Sequence, residues 1–197
     1  ESSTNLIGGQ PFSVQTLRDV RALADKYKIR LVLDCSLLGE NAYLVLQREP
    51  EFKDSNMETV IKTMTGLADL CYFSARKLSS SRGGGICTDS MEIFKELEAF
   101  IPLYEGFLTY GGMSIREVEA MAVGLYETLD ETIISQSPTF IKYLVDSLDA
   151  KGIPMIKPAG VLGAHVDAMQ LCAHIPQTEY PAGALAAALF LISGVRG

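Results

Sequence analysis

The chain has 197 residues, 48% of them hydrophobic, and a formal charge of −7. That length buries a core, while the acidic balance argues against nucleic acid and anionic membrane, since either partner wants a basic face. Four scattered cysteines with no CxxC pair, and two histidines, leave little material for a disulfide framework or a histidine-based metal site.

Taken in order, residues 3–8 (STNLIG) read as a strand end running into the turn GGQP. Residues 13–28 follow as a helix, with Ser13 as N-cap and Val14, Leu17, Val20 and Leu23 at helical spacing. IRLVLDCS (29–36) is a continuous β-rich run, as expected of a strand buried on both faces of a parallel sheet. An amphipathic stretch at 56–68, a strand at 70–75 (LCYFSA) and a strand at 83–89 (GGGICTD) complete a β-α-β-α-β order. That order predicts an α/β domain with a mostly parallel sheet.

From Ser114 the texture changes to a long helical stretch, 114–152, with its break expected at Ser137-Pro138. IPMIKPAG and GAHVDAMQL read as short strands, and residues 181–193 (PAGALAAALFLIS) as a packed, buried helix too short to span a bilayer. The expected division is therefore 1–113 as part of a large domain, 114–150 as connecting helix, and 151–197 as the start of a smaller α+β domain. With no initiator Met, no signal peptide and an abrupt SGVRG end, the chain reads as a piece of a larger polypeptide. Cys35, Cys71, Cys87 and Cys172 read as buried thiols of a cytoplasmic protein.

Open α/β sheets bind ligands at the carboxyl ends of their strands. Asn5, Asp34, Ser36, Ser74 and Lys77 all occupy such places. An amine, a carboxylate and neutral polar groups on one rim suit pyridoxal 5'-phosphate, which needs a lysine to bind its aldehyde and an acid to keep its pyridine nitrogen protonated. Taken singly, each residue has a plainer role: lysines are mostly solvated charges, strand-end aspartates cap helices, and SSSRGGG serves as a flexible turn. Residue types and spacing therefore stop at an α/β domain with its ligand open.

The segments NLIGGQP, LDCSLLGENAY, SARKLSSSRGGGICTD, YEGFLTYGGM, MAVGLYE, YLVDSLDAKGIP, HIPQTEYPAGALA and SGVRG occur in one order along the chain. In this the chain resembles the β-eliminating lyases, the family of tryptophanase and tyrosine phenol-lyase, over essentially its whole length. The resemblance implies pyridoxal-phosphate fold type I (aspartate-aminotransferase-like), with Lys77 as the Schiff-base lysine. It implies Asp34 as the partner of the pyridine nitrogen, Asn5 as a donor to the ring oxygen, and Ser74 in the phosphate cup. Arg76 falls where the family has the lysine before the Schiff-base lysine. Arg82 falls where a backbone carbonyl helps bind a monovalent cation such as K+.

Three positions depart from the family: Leu37 stands for an arginine near the ring oxygen, Leu162 for a histidine (with His165 offset), and Leu108 for a loop proline. The family's main phosphate loop, stacking aromatic and a catalytic tyrosine precede the counterpart of Asn5, and its carboxylate-binding arginine follows that of Gly197. What the resemblance implies is β-elimination from an amino-acid substrate, in a homodimer or homotetramer. Because Leu37 and Leu162 remove polar groups, the expected leaving group is a thiol, from carbon–sulfur cleavage of a cysteine S-conjugate. Lyase domains within polyketide synthases do this. The alternatives are carbon–carbon cleavage, as in tryptophanase and tyrosine phenol-lyase, and a non-catalytic relative.

Overall fold

The computed structural model describes every residue except Asn5 and Ile7. By contact it divides into two compact units, one of Glu1–Thr4 with Pro11–Ser137, the other of Asn5–Gln10 with Pro138–Gly197.

In the first unit, helix α1 spans Val14–Tyr27 and starts where the Ser13 hydroxyl accepts the Thr16 amide at 3.0 Å. Val14 and Leu17 are buried, whereas Val20 and Leu23 are exposed. Strand β1 is Val32–Asp34 and helix α2 is Leu38–Arg48. Sequence reasoning missed α2 because its N-cap position is Leu37, which has no side-chain acceptor to announce a helix start. Helix α3, Met57–Thr65, starts at Asn56, whose side chain accepts the Thr59 amide at 2.9 Å.

Strand β2 is Leu70–Ser74, helix α4 is Ala75–Leu78 and strand β3 is Gly84–Cys87. The sheet order is β1-β2-β3, with β1 and β2 parallel and β2 and β3 antiparallel. The sheet is therefore mixed rather than mostly parallel. A parallel crossover needs about a dozen residues or more, and the β2–β3 connection, residues 75–83, is shorter.

Pleating sends Leu33 and Cys35 to one face, where Val14, Leu17, Leu38, Val45, Val60 and Met64 of the three helices close the core. Each such side chain removed from water contributes roughly 1.5–3 kcal/mol. The opposite face carries Asp34, Tyr72 and Ile86, and Tyr72 and Ile86 are exposed. This corrects the expectation of a strand covered on both sides: Val32 is also exposed, and among the described residues the core helices pack on one face.

Beyond β3, helix α5 is Met91–Glu98 and α6 is Ile101–Tyr104. The long helical stretch is three helices: α7, Ile115–Glu127, α8, Glu131–Ile134, and α9, Gln136–Asp149. Its first break falls at Asp130, which caps α8 by accepting the Thr132 amide at 2.8 Å. Pro138 instead sits in the opening turn of α9, where no helical partner exists for the missing N–H.

In the second unit, the two short strands expected after α9 reduce to an antiparallel bridge between Met155 and Val166. Helix α10, Ala168–Leu171, takes up the end of the second, with Asp167 accepting the Gln170 amide at 3.0 Å. Helix α11 is Pro181–Ser193, closed by Gly194 in the left-handed region. It forms as expected but is not buried: Leu191 is 83% and Ile192 87% exposed. A helix apolar on every side records a preference for burial, yet a covering surface has to come from elsewhere in the tertiary structure. No helix of the described residues is long and apolar enough to cross a membrane.

Candidate active site

The carboxyl ends of β1 and β2 are joined by hydrogen bonds from backbone and side chain. The Cys35 amide donates to the Tyr72 carbonyl at 2.7 Å and the Ser2 amide to the Asp34 carbonyl at 2.8 Å. The buried Ser36 hydroxyl accepts the Ser74 amide at 3.1 Å, tying the end of one strand to the start of α4. Asp34 Oδ1 accepts the Ser36 amide at 2.9 Å, and Asp34 Oδ2 accepts the Tyr72 hydroxyl at 3.2 Å. Burial opposes ionisation of Asp34, but the hydrogen bonds from Ser36 and Tyr72 outweigh it and hold the carboxyl below the ordinary carboxylate range.

Lys77 rides on α4, whose single turn is braced by the serine loop. Ala75 donates to the Gly83 carbonyl at 3.0 Å and Ser81 to the Ala75 carbonyl at 2.9 Å. From the other side the Thr128 hydroxyl donates to the Leu78 carbonyl at 2.6 Å. Gly124 of α7 lies so close that a Cβ there would stand 1.9 Å from the Ser79 carbonyl oxygen, a contact that only glycine permits. The turn is thus held, while the Lys77 side chain is exposed and has no hydrogen bond or ion pair among the described residues. SSSRGGG is accordingly a folded brace.

Asp34, Ser36 and Ser74 therefore form one bonded strip, with Lys77 in the helical turn that follows Ser74. Asn5 lies outside the described residues. Arg76 is exposed and, with Arg82 and Arg116, lines a cleft of about 740 Å³ beside the serine loop. Leu37 is buried at 3% exposure, with its amide donating to the Ser2 hydroxyl at 3.2 Å. Leu108 and Leu162 are exposed. His165, in the second unit, has Nδ1 3.1 Å from the Gly163 carbonyl oxygen.

The four cysteines are free, as thiols, but unequal: Cys35 is buried, Cys71 and Cys172 half-buried and Cys87 exposed, since β3 is an edge of the described sheet. The neighbouring Cys71 thiol, with burial, pushes Cys35 up and away from a reactive thiolate, while Cys35 Sγ donates to the Leu33 carbonyl at 3.7 Å. Sequence reasoning passed over Tyr72. Its signal was available only jointly, from strand alternation plus the register that pairs it with Asp34.

Ser36→Ala removes the acceptor of the Ser74 amide and the support that the nearby Ser36 side chain gives the Asp34 charge. The expected result is a loss of about 1–3 kcal/mol in urea unfolding, the cost of one orphaned, partly buried amide. The sign of the pH effect follows from the depressed Asp34 value: its stabilisation is present above the ordinary aspartate range and is lost as pH falls through the lower folded value. The variant should lose it at a higher pH than the parent, as acid titration of the fold would record.

The class comes first: an α/β domain of pyridoxal-phosphate fold type I. A solved Listeria monocytogenes protein assigned as an L-allo-threonine aldolase shares this fold at TM-score 0.59 and 17% identity, over 81% of this chain and 40% of that one. The family described as β-eliminating lyase matches residues 1–192, and the chain belongs to it. It is 37% identical over 195 residues to a tyrosine phenol-lyase of Pasteurella multocida, and 38% over 196 residues to a tryptophanase of Salinibacter ruber. These alignments cover 98% and 99% of this chain but 43% and 42% of the relatives, so the chain spans less than half their length.

The family's cofactor is pyridoxal phosphate, and the donor set fits it. An aspartate held anionic by Ser36 and Tyr72 would match a protonated pyridine nitrogen, and Lys77 would offer an exposed amine on a braced turn. Near the strip, the Ser3 hydroxyl is buried with no hydrogen-bond partner among the described residues.

Proposed function

We propose that this chain is the lysine-bearing part of a pyridoxal-phosphate lyase that cleaves the Cβ–Cγ bond of an aromatic amino acid. The observation that carries the reading is its equal likeness to a tyrosine phenol-lyase and a tryptophanase along its whole length. Water enters and the arene, pyruvate and ammonia leave; for tyrosine the arene is phenol.

Bound pyridoxal phosphate supplies an electron-withdrawing ring that stabilises negative charge at the substrate's α-carbon. Asp34 would hold a proton on the ring nitrogen, which maximises that withdrawal. Lys77 would anchor the cofactor through its amine, and the same Nζ would be the base that takes the substrate's α-proton. Ser36 locks the Asp34 end of β1 to the Ser74 start of α4, which ties together the two backbone segments that carry the acid and the amine. Ser74 and Arg76 are assigned to the phosphate, Asn5 to the ring oxygen, and the Arg82 carbonyl to a monovalent cation. The whole enzyme is taken to be a cytoplasmic homo-oligomer.

Carbon–sulfur cleavage is the second reading. One observation favours it: Leu37 is an apolar side chain buried beside the rim, where it offers no polar contact. The relatives lend no support to a thiol leaving group or to a polyketide-synthase setting. A panel of tyrosine, tryptophan and S-substituted cysteines, given to the full-length protein, separates the two. The expected result is phenol or indole equimolar with pyruvate. Pyruvate accompanied only by thiol would move the assignment to carbon–sulfur chemistry.

A further inference from the structure

Tyr72 and Asp34 are register partners on adjacent parallel strands, so their side chains share the open face of the sheet. The phenol lies 3.2 Å from Asp34 Oδ2, while Oδ1 is held at 2.9 Å by the Ser36 amide. Each carboxylate oxygen thus has one fixed donor, which sets the plane of a group that otherwise turns broadly about χ2. A carboxylate oxygen accepts two hydrogen bonds, so Oδ2 keeps a position for a further donor. Tyr72 is 42% exposed and makes no contribution to the buried core that would explain its presence.

We propose that Tyr72 is a positioning residue, whose hydroxyl holds the Asp34 carboxylate in the orientation that pairs with the pyridine nitrogen of the cofactor. The inference rests on the assignment of Asp34 as that partner. Tyr72 also feels the Glu1 carboxylate and the Cys35 thiol.

The test uses full-length holoenzyme carrying Tyr72→Phe, Asp34→Ala, or both. Phenylalanine keeps the ring volume at a partly exposed site, so the melting temperature should not move. Tyr72→Phe is expected to lower kcat about tenfold, the size of a hydrogen bond to a charged group, with KM within about twofold. In the Asp34→Ala background it should have no further effect. Carbon-13 NMR of the Asp34 carboxyl in the cofactor-free protein gives a readout independent of turnover, and its titration midpoint should rise in Tyr72→Phe. An unmoved midpoint with parental kcat, or a Tyr72→Phe loss that persists in full without Asp34, would overturn the inference. Failure of the functional reading shows differently, as cofactor absorbance and turnover that survive Lys77→Ala.

Discussion

Replacing Lys77 by alanine in the full-length protein is expected to abolish the violet absorption band that pyridoxal phosphate gives when joined to a lysine, and to slow β-elimination by on the order of 10³-fold. The size follows from two losses at one atom. Nζ is both the anchor for the cofactor's aldehyde and the base for the α-proton, and no second lysine stands on the braced turn between Ser74 and Gly83. Lys77→Arg should fail equally, because a guanidinium stays protonated and can neither attack an aldehyde nor accept a proton. That pairing separates chemistry from charge: arginine keeps the charge and loses the function. Stability should change by no more than about 0.5 kcal/mol in either variant, since the side chain is exposed and engages no described partner. Spectra of the reconstituted protein and pyruvate release decide the matter; a band that persists in Lys77→Ala would remove Lys77 from its assigned role.

Asn41→Leu is expected to cost about 2–4 kcal/mol of stability, measured by denaturant unfolding at constant m. Asn41 is fully buried in α2 and holds both backbone groups of Phe12, accepting its amide at 3.2 Å and donating to its carbonyl at 3.1 Å. Its amide also lies 3.8 Å from the Met64 sulfur. Leucine keeps the volume but orphans two main-chain groups at the entrance to α1, and a buried polar group without a partner costs more than the hydrogen bond was worth. A change below about 0.5 kcal/mol would mean that water reaches Phe12 in the variant and that this link is not part of the core.

Local patterns made much of the first unit legible. Ser13 and Asn56 are acceptors placed just before amphipathic runs, and both cap the helices they announce. LCYFSA is apolar and aromatic enough to read as β2, and GGGICTD contains β3. Where the signal was missing the reading failed: α2 opens on Leu37 without a capping side chain. The break at Asp130 was hidden behind the stronger mark of Pro138, which a helix's first turn accepts.

The candidate site divides the same way. Lys77, Asp34 and Ser74 were legible as polar residues at strand ends, and the resemblance gave them roles. Tyr72 was not, because it lies inside a strand and acquires its partner only through the β1–β2 register. Ser36 was named as a cofactor residue, and the fold adds a structural task by setting its hydroxyl against the Ser74 amide.

What the sequence determined by itself is local and chemical: where helices start, which runs favour strands, and which residue types a pyridoxal-phosphate site can draw on. Chain order and motif order also placed it among the β-eliminating lyases. Only the tertiary structure decided the antiparallel direction of the β2–β3 pairing, which face of the sheet stays open, that Leu37 is buried while α11 is exposed, and that Tyr72 reaches Asp34. These depend on contacts between residues distant in the chain, and no window of local preference carries the register that brings such residues together.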